Sequence, residues 1–461
     1  MSSPRRGDWR ATIQRAIFPA LVLVLSAYFV RTAPEISGDG RLAFVYAFVD
    51  HHSLAVDPYV AESPAIEEDL AFYEGHDYMA KPPLPSLLAM IPYALLRLVF
   101  PAAHMDSFWW KWLLTVLVSG GALVLTASLV EQLAAEARLP RSRLAALACV
   151  IATPLAVYST LFMATSVGAA LVAGLALAAV RRRHLAVGLL SGAMLSTETV
   201  VVASAAVPLV LLGIEALRAR SAWRVASITG GFLLGALPLV VYQTAAFGSP
   251  LAGIYVYLSD AQQRAAFAHI HVGFPAFDAM VALLVSPRNG LFVVAPVAIA
   301  GSALLARLWR EHVSERRVIG ITGGMAVVTV VAFAALPHDL IFWPLRAEYG
   351  PRLLIPILPL LCWPLASLSA RALAPLTFLC AIPQIVAVAV HQPMLNPGAT
   401  FQVGEVFRRL VGDIPTPSLV GLLLPSVVPE RTWTAQLAFV IVALAVLARI
   451  AIASLRTPRS T

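Results

Sequence analysis

The sequence predicts an all-α membrane protein with about twelve transmembrane helices, and three observations carry that expectation. Of 461 residues, 59% are hydrophobic and 13% are charged, against roughly 25% charged in an ordinary soluble domain. The apolar residues gather in runs approaching the ~20 residues a helix needs to cross a bilayer. The sequence lacks strand-length alternating segments, which argues against a barrel. A backbone in lipid must satisfy its own hydrogen bonds, and helices remain.

The runs fall at 16–30, 109–130, 144–161, 167–180, 185–195, 200–217, 226–246, 290–308, 318–336, 353–368, 373–390 and 435–455. The first follows a basic N-terminus and ends in Phe29-Val30-Arg31, which offers no small-residue cleavage site, so it reads as a span and not as a removed leader. The run 84–100 is nearly long enough to cross, and charge decides it. If it stays on one side, Arg138/Arg141/Arg143, Arg181/Arg182/Arg183, Arg218/Arg220/Arg224, Arg307/Arg310/Arg316/Arg317, Arg371 and Arg456/Arg459 all share the side of the N-terminus. That is the positive-inside pattern; if the run crosses, every later cluster flips outside. It is therefore expected to be a juxtamembrane helix on the outer face, started by Pro82, Pro83 and Pro85, which suit a first helical turn.

On this reading the net charge of +8 reports membrane orientation and no nucleic-acid partner. Cys149, Cys362 and Cys380 lie inside apolar runs without ligand spacing and read as small core residues. Residues 1–461 form a single polytopic domain with both termini cytoplasmic. The outer face carries the long segments: a first outer loop at residues 34–108 with juxtamembrane helices, and an outer loop or cap at 391–434. Function is expected in those loops, held by a rigid helical frame.

Ser37-Gly38-Asp39-Gly40-Arg41 follows the first span. A carboxylate between glycines near the membrane surface is open to close approach by a ligand. Asp is also a favoured N-cap, here for a helix over 41–49, and the two roles are compatible. Tyr78-Met79-Ala80-Lys81-Pro82-Pro83 sets a lysine just before a helix start, where ammonium and N-terminal amides both favour phosphate; a snorkelling interfacial lysine has the same surroundings. Lys111, among Trp109, Trp110 and Trp112, reads as an interfacial anchor.

Trp343-Pro344-Leu345-Arg346-Ala347-Glu348-Tyr349-Gly350-Pro351-Arg352 precedes another span. The guanidinium forks of Arg346 and Arg352 suit phosphate oxygens, with Glu348 and Tyr349 beside them, although an interfacial belt uses the same residue types. Arg288, in Ser286-Pro287-Arg288-Asn289-Gly290, is either a further anion contact or an anchor. Glu198, in Ser196-Thr197-Glu198-Thr199, is a near-membrane carboxylate and so a functional candidate, or else a cap of a tight helix hairpin. Tyr78 and His76 are candidate cavity residues, while the acidic run from Glu62 to Asp69 reads as solvated surface. No histidine and carboxylate spacing makes a convincing metal site, and no metal or cofactor is expected.

Asp39 beyond the first span, Tyr78-Met79-Ala80-Lys81-Pro82-Pro83-Leu84-Pro85, and Tyr349-Gly350-Pro351-Arg352 together resemble the bacterial GT-C glycosyltransferases, relatives of protein O-mannosyltransferases and lipid A aminoarabinose transferases. Tyr158-Ser159-Thr160-Leu161-Phe162, Phe247-Gly248-Ser249-Pro250 and Ser286-Pro287-Arg288-Asn289-Gly290-Leu291-Phe292 extend the resemblance from about residue 16 to 359. It implies a multi-pass protein of the bacterial inner membrane that takes a sugar from a polyprenyl phosphate and transfers it, with inversion, to a hydroxyl of a glycan, lipid or protein on the outer face. It implies Asp39 as base or acceptor-orienting group, and Lys81 with Arg352 at the lipid phosphate. Ala164-Thr165, where relatives often carry Gly-His, departs from the pattern, as does the charged Arg346-Ala347-Glu348. A transporter or flippase of lipid-linked saccharides is the alternative, but it should place charges within spans and show repeated halves. An inactive scaffold of the same fold is a further one.

Overall fold

The computed structural model describes residues 19–28, 36–105, 107–261, 264–265, 273–312, 314–336, 349–390, 402–411, 441–442 and 445. The cap at 391–434, apart from the helix Gln402–Val411, lies outside the described residues, as does nearly all of the last expected span.

The protein is a helical membrane protein. We number its main helices α1 (Pro19–Tyr28), α2 (Ile36–His51), α3 (Leu84–Arg97), α4 (Phe108–Glu136), α5 (Ser142–Ile151), α6 (Ala164–Val180), α7 (His184–Leu195), α8 (Ala206–Arg218), α9 (Ala222–Phe247), α10 (Phe277–Val285), α11 (Val297–Glu311), α12 (Arg316–Ala334) and α13 (Ala370–Ala389). Among the described residues, five segments are long and apolar enough to cross a membrane: Phe108–Glu136, Val201–Arg218, Ala222–Phe247, Arg316–Ala334 and Ala370–Ala389. The other apolar runs are shorter helices or are broken by proline. Run 144–161 breaks before Pro154, 290–308 breaks before Pro296, and 353–368 becomes alternating 3₁₀ and α turns around Pro356, Pro359 and Pro364. Proline removes an amide and forces the residue before it out of the helical region. Irregular backbone at membrane depth is tolerated where protein buries it. Accordingly residues 151–163 and 354–366 are buried throughout.

Tyr158, Tyr349 and Trp363 are fully buried in this core. Tyr158 Oη donates to the Tyr349 carbonyl at 3.3 Å, and Trp363 Nε1 donates to Thr322 Oγ1 at 3.2 Å. Helices α7 and α9 pack backbone against backbone, and the sequence explains it. Gly188 and Gly192 face Gly231 and Gly235, two Gly-xxx-Gly pairs that let backbones touch. A Cβ on Gly188 would lie 2.0 Å from the Ile228 carbonyl oxygen, and one on Gly235 2.1 Å from that of Leu189.

The loop at residues 34–108 departs from the all-helical expectation. Strands β1 (Leu70–Tyr73) and β2 (His76–Met79) pair antiparallel across a two-residue turn. Both turn residues, Glu74 (φ 50°) and Gly75 (φ 89°), are left-handed, as a type I′ hairpin requires. The α3 segment spans 14 residues, ~21 Å at 1.5 Å per residue.

Candidate functional site

Helix α2 carries the site. It begins at Ile36, so Asp39 sits inside its first turn and not at an N-cap over 41–49. The first turn still favours a carboxylate through the helix dipole. From Leu42 to Ala47 the helix is apolar on every side and buried, the pattern of a helix packed all round.

At 100° per residue, Ser37 and Arg41 share one face of α2 while Asp39 points roughly 160° away from both. The Ser37 face meets the end of the hairpin. Ser37 Oγ donates to Asp69 Oδ2 at 2.9 Å, and Lys81 Nζ lies 2.6 Å from Asp69 Oδ1. Arg41 Nη1 donates to the Pro82 carbonyl at 3.0 Å, and Ser86 Oγ donates to the Arg41 carbonyl at 3.0 Å. The turn between α7 and α8 closes on the same place: the Leu84 amide donates to the Ser196 carbonyl at 2.8 Å, two residues from Glu198. Lys81 Nζ lies 5.8 Å from the centre of the Tyr255 ring. Burial pulls the Arg41 guanidinium below its ordinary value and Arg352 adds to this, while Glu198, then Asp69 and Tyr255, oppose. The Tyr255 phenol is pushed up by burial first and then by Glu198 and Asp69. Arg41, Asp69, Lys81, Glu198, Tyr255 and Arg352 thus form one electrostatic cluster.

The opposite face of α2 holds a second set. Asp39 pairs with Lys111 of α4, both side chains nearly inaccessible. Further along, Asp50 accepts from Tyr93 Oη at 2.6 Å and pairs with Arg97 Nε at 2.5 Å, tying α2 to α3. Two sequence expectations are corrected here. Lys111 is no interfacial anchor but a buried ion-pair partner, because Asp39 of α2 meets it at the tryptophan-flanked start of α4. The acidic run is not uniformly solvated: Glu62 and Glu67 are exposed, but Asp69 is 6% exposed and bonded to Ser37 and Lys81.

The remaining candidates separate. Asn289 Oδ1 accepts from the Gly350 amide at 2.5 Å, so the segments bearing Arg288 and Arg352 adjoin. Tyr349 is fully buried against Tyr158, with its phenol by Gln384, and serves packing. Tyr78 is half-buried on β2 against Phe247. His76 stands exposed at the hairpin tip, 2.9 Å from Asp57. Arg346 and Glu348 lie outside the described residues.

Arg41, Asp69 and Lys111 are site residues that the sequence reading did not nominate. For Arg41 the available signal was the apolar sequence after it, which marks α2 as buried.

An apolar groove of 670 Å³ lies along α3, α4, α6 and α7. It starts at Leu84 and Leu88 of α3, runs along α4 from Leu117 to Gln132 and along α6, and ends at Arg181 and Arg183. The α4 stretch alone measures about 22 Å.

The chain is similar to the crystal structure of ArnT from Cupriavidus metallidurans bound to undecaprenyl phosphate, with a TM-score of 0.50, 16% identity, and coverage of 96% of this chain and 78% of that one. The apo structure of the same protein aligns at a TM-score of 0.45 and 16% identity, covering 96% and 74%. No protein-family model and no curated protein matches the sequence.

Proposed function

We propose that this protein is a glycosyltransferase of the outer face of the bacterial inner membrane, using a sugar carried on a polyprenyl phosphate. One observation carries the reading: Lys81, paired with Asp69, lies three residues before Leu84, which lines a long apolar groove. A donor of this class has the matching form, an anionic head on a long apolar tail. The ArnT structure bound to undecaprenyl phosphate supports the same assignment.

In the proposed reaction the acceptor hydroxyl attacks the anomeric carbon, the bond from that carbon to the phosphate oxygen breaks, and polyprenyl phosphate departs with the electron pair. Charge grows on the phosphate as it leaves, so Lys81 and Arg352, with Arg288 and Arg346 as further candidates, stabilise the transition state more than the ground state. The hydroxyl proton passes to a carboxylate. Asp39 is the proposed base, and to act it exchanges its contact with Lys111 for the acceptor hydroxyl. A single displacement inverts the anomeric centre. Glu198, Tyr78, Glu348, Tyr349 and His76 are the wider set proposed for the cavity, Tyr349 through packing. A flippase would use the groove without bond cleavage, so the test follows the bond. Purified protein in nanodiscs, given a polyprenyl-phosphate sugar and a hydroxyl acceptor, should release polyprenyl phosphate. Translocation of intact donor without release would overturn the reading.

A further inference from the structure

A second apolar groove, of 730 Å³, lies between α8 and α12 and shares no lining residue with the groove that includes Leu84. Val207, Val210 and Leu211 of α8 line one wall, and Ile321 and Val328 of α12 the other. Glu215, Arg316 and Arg317 stand at its charged end. From Arg316 to Val328 the α12 wall measures ~18 Å at 1.5 Å per residue, close to the ~15 Å that one leaflet contributes to the hydrocarbon core.

The charges at that end are unequally served. Arg317 Nη1 donates to Glu215 at 2.6 Å, and its other nitrogens donate to the Ala179 and Val180 carbonyls that end α6, at 3.0 and 3.3 Å. Arg182, in the turn between α6 and α7, shares the same carboxylate at 3.4 Å. The acids nearest Arg316 in sequence are taken as well, Glu315 by Ser314 at 2.5 Å and Glu311 by Arg307 at 2.8 Å. Arg316 is exposed, lies over the Trp309 ring at 5.7 Å and pairs with no carboxylate among the described residues. Tryptophan favours the level of the lipid head groups. An apolar slot one leaflet deep thus ends, at head-group level, in a cation that lacks a counter-ion and in a second that has only a share of one.

We infer that the α8–α12 groove is a binding site for an anionic diacyl phospholipid, with an acyl chain along Val210 and Ile321 and the phosphate at Arg316 and Arg182. Basic pockets between membrane helices suit anionic head groups, and the leaflet to which the positive-inside pattern assigns this end carries a negative surface potential. Arg317 is spent on holding α6, α8 and α12 together, so the lipid draws on the two arginines beside it. The inference is independent of the donor reading.

Native mass spectrometry of the full-length protein in detergent, with a melting curve for each variant, tests the site. Phosphatidylglycerol should be retained as a bound copy, and phosphatidylcholine with the same chains should bind at least tenfold more weakly. R316Q should weaken phosphatidylglycerol binding roughly fivefold and R182Q/R316Q roughly 30-fold, the worth of one and two basic residues at an anionic head group. V210W fills the groove and leaves the arginines in place, and it should lose the lipid too. R371Q removes an arginine outside the groove and should bind as the wild type does. Unchanged binding in R182Q/R316Q, or an equal loss in R371Q, overturns the site. Equal binding of phosphatidylcholine overturns the role of the arginines, and displacement by an equimolar short-chain polyprenyl phosphate overturns the assignment to a diacyl lipid. If V210W does not fold, R182Q/R316Q decides, since both arginines are exposed.

Discussion

The two faces of helix α2 use the same kinds of residue for opposite ends. On the Asp39 face every charge has a close partner: Asp39 with Lys111, and Asp50 with Tyr93 and Arg97. On the Ser37 face the pairing stops short, with Asp69 serving Lys81 while Arg41 keeps a buried N–H without an acceptor among the described residues. Paired ions fix the helix to its frame. The comparison teaches that burial alone does not mark function in this loop; incomplete pairing does.

Asp39 tests that lesson hardest, because it is the proposed base on the paired face. Asp39→Asn should cut transfer by ~10²- to 10⁴-fold, the usual worth of a general base, with the protein still folded. Asp39→Asn combined with Lys111→Met removes both charges together. If the double variant regains turnover, Asp39 belongs wholly to the scaffold and the base must be sought on the other face, with Glu198 first in line.

Asp50 is the control for the paired face. Asp50→Ala strands Arg97 and leaves the Tyr93 hydroxyl without its acceptor, at a cost of roughly 3 kcal/mol, the low end for a broken buried pair because Arg97 is part exposed. Chemical denaturation should show that loss. Turnover per folded molecule should stay near the wild type, and a specific activity falling tenfold would place the α2–α3 contact in the reaction. On the other face donor binding is the readout. Lys81→Ala leaves the buried Asp69 without its cation and should also cost roughly 3 kcal/mol of stability; per folded molecule, Lys81→Ala or Arg352→Ala should raise the donor KM roughly 10- to 100-fold, and an unchanged KM would remove those residues from the phosphate.

How much of this was legible in the sequence follows the same division. The helical membrane frame was legible because hydrophobic runs and arginine placement are local signals. Lys81 and Asp39 were legible as chemistry-bearing residues for the same reason. Their separation was not: it follows from a helix that starts at Ile36 instead of 41, which turns Asp39 to the far side of α2. Lys111 sits among tryptophans that imitate an interface, and its pairing with Asp39, 72 residues away in sequence, appears only in the fold. Asp69 looks like its exposed neighbours Glu62 and Glu67 until the hairpin folds it beneath Ser37. The hairpin itself had a signal, Glu-Gly between Leu-Ala-Phe-Tyr and His-Asp-Tyr-Met, masked by the helical character of everything around it.

His76 gives the smallest expected effect and the cleanest boundary for the site. It lies in the same loop as Lys81 and next to Asp77, so position in sequence nominates it. At the hairpin tip, however, its side chain is 59% exposed and its partner Asp57 is 40% exposed. Water screens such a pair, and its contribution is commonly under 1 kcal/mol. Five residues of extended chain also separate it from Lys81, about 16 Å when fully stretched. His76→Ala should therefore leave melting temperature, donor KM and turnover close to the wild type. A turnover loss beyond fivefold at unchanged stability would mean that the tip reaches the acceptor, and the site would then extend along β2 past Tyr78 instead of ending at Lys81.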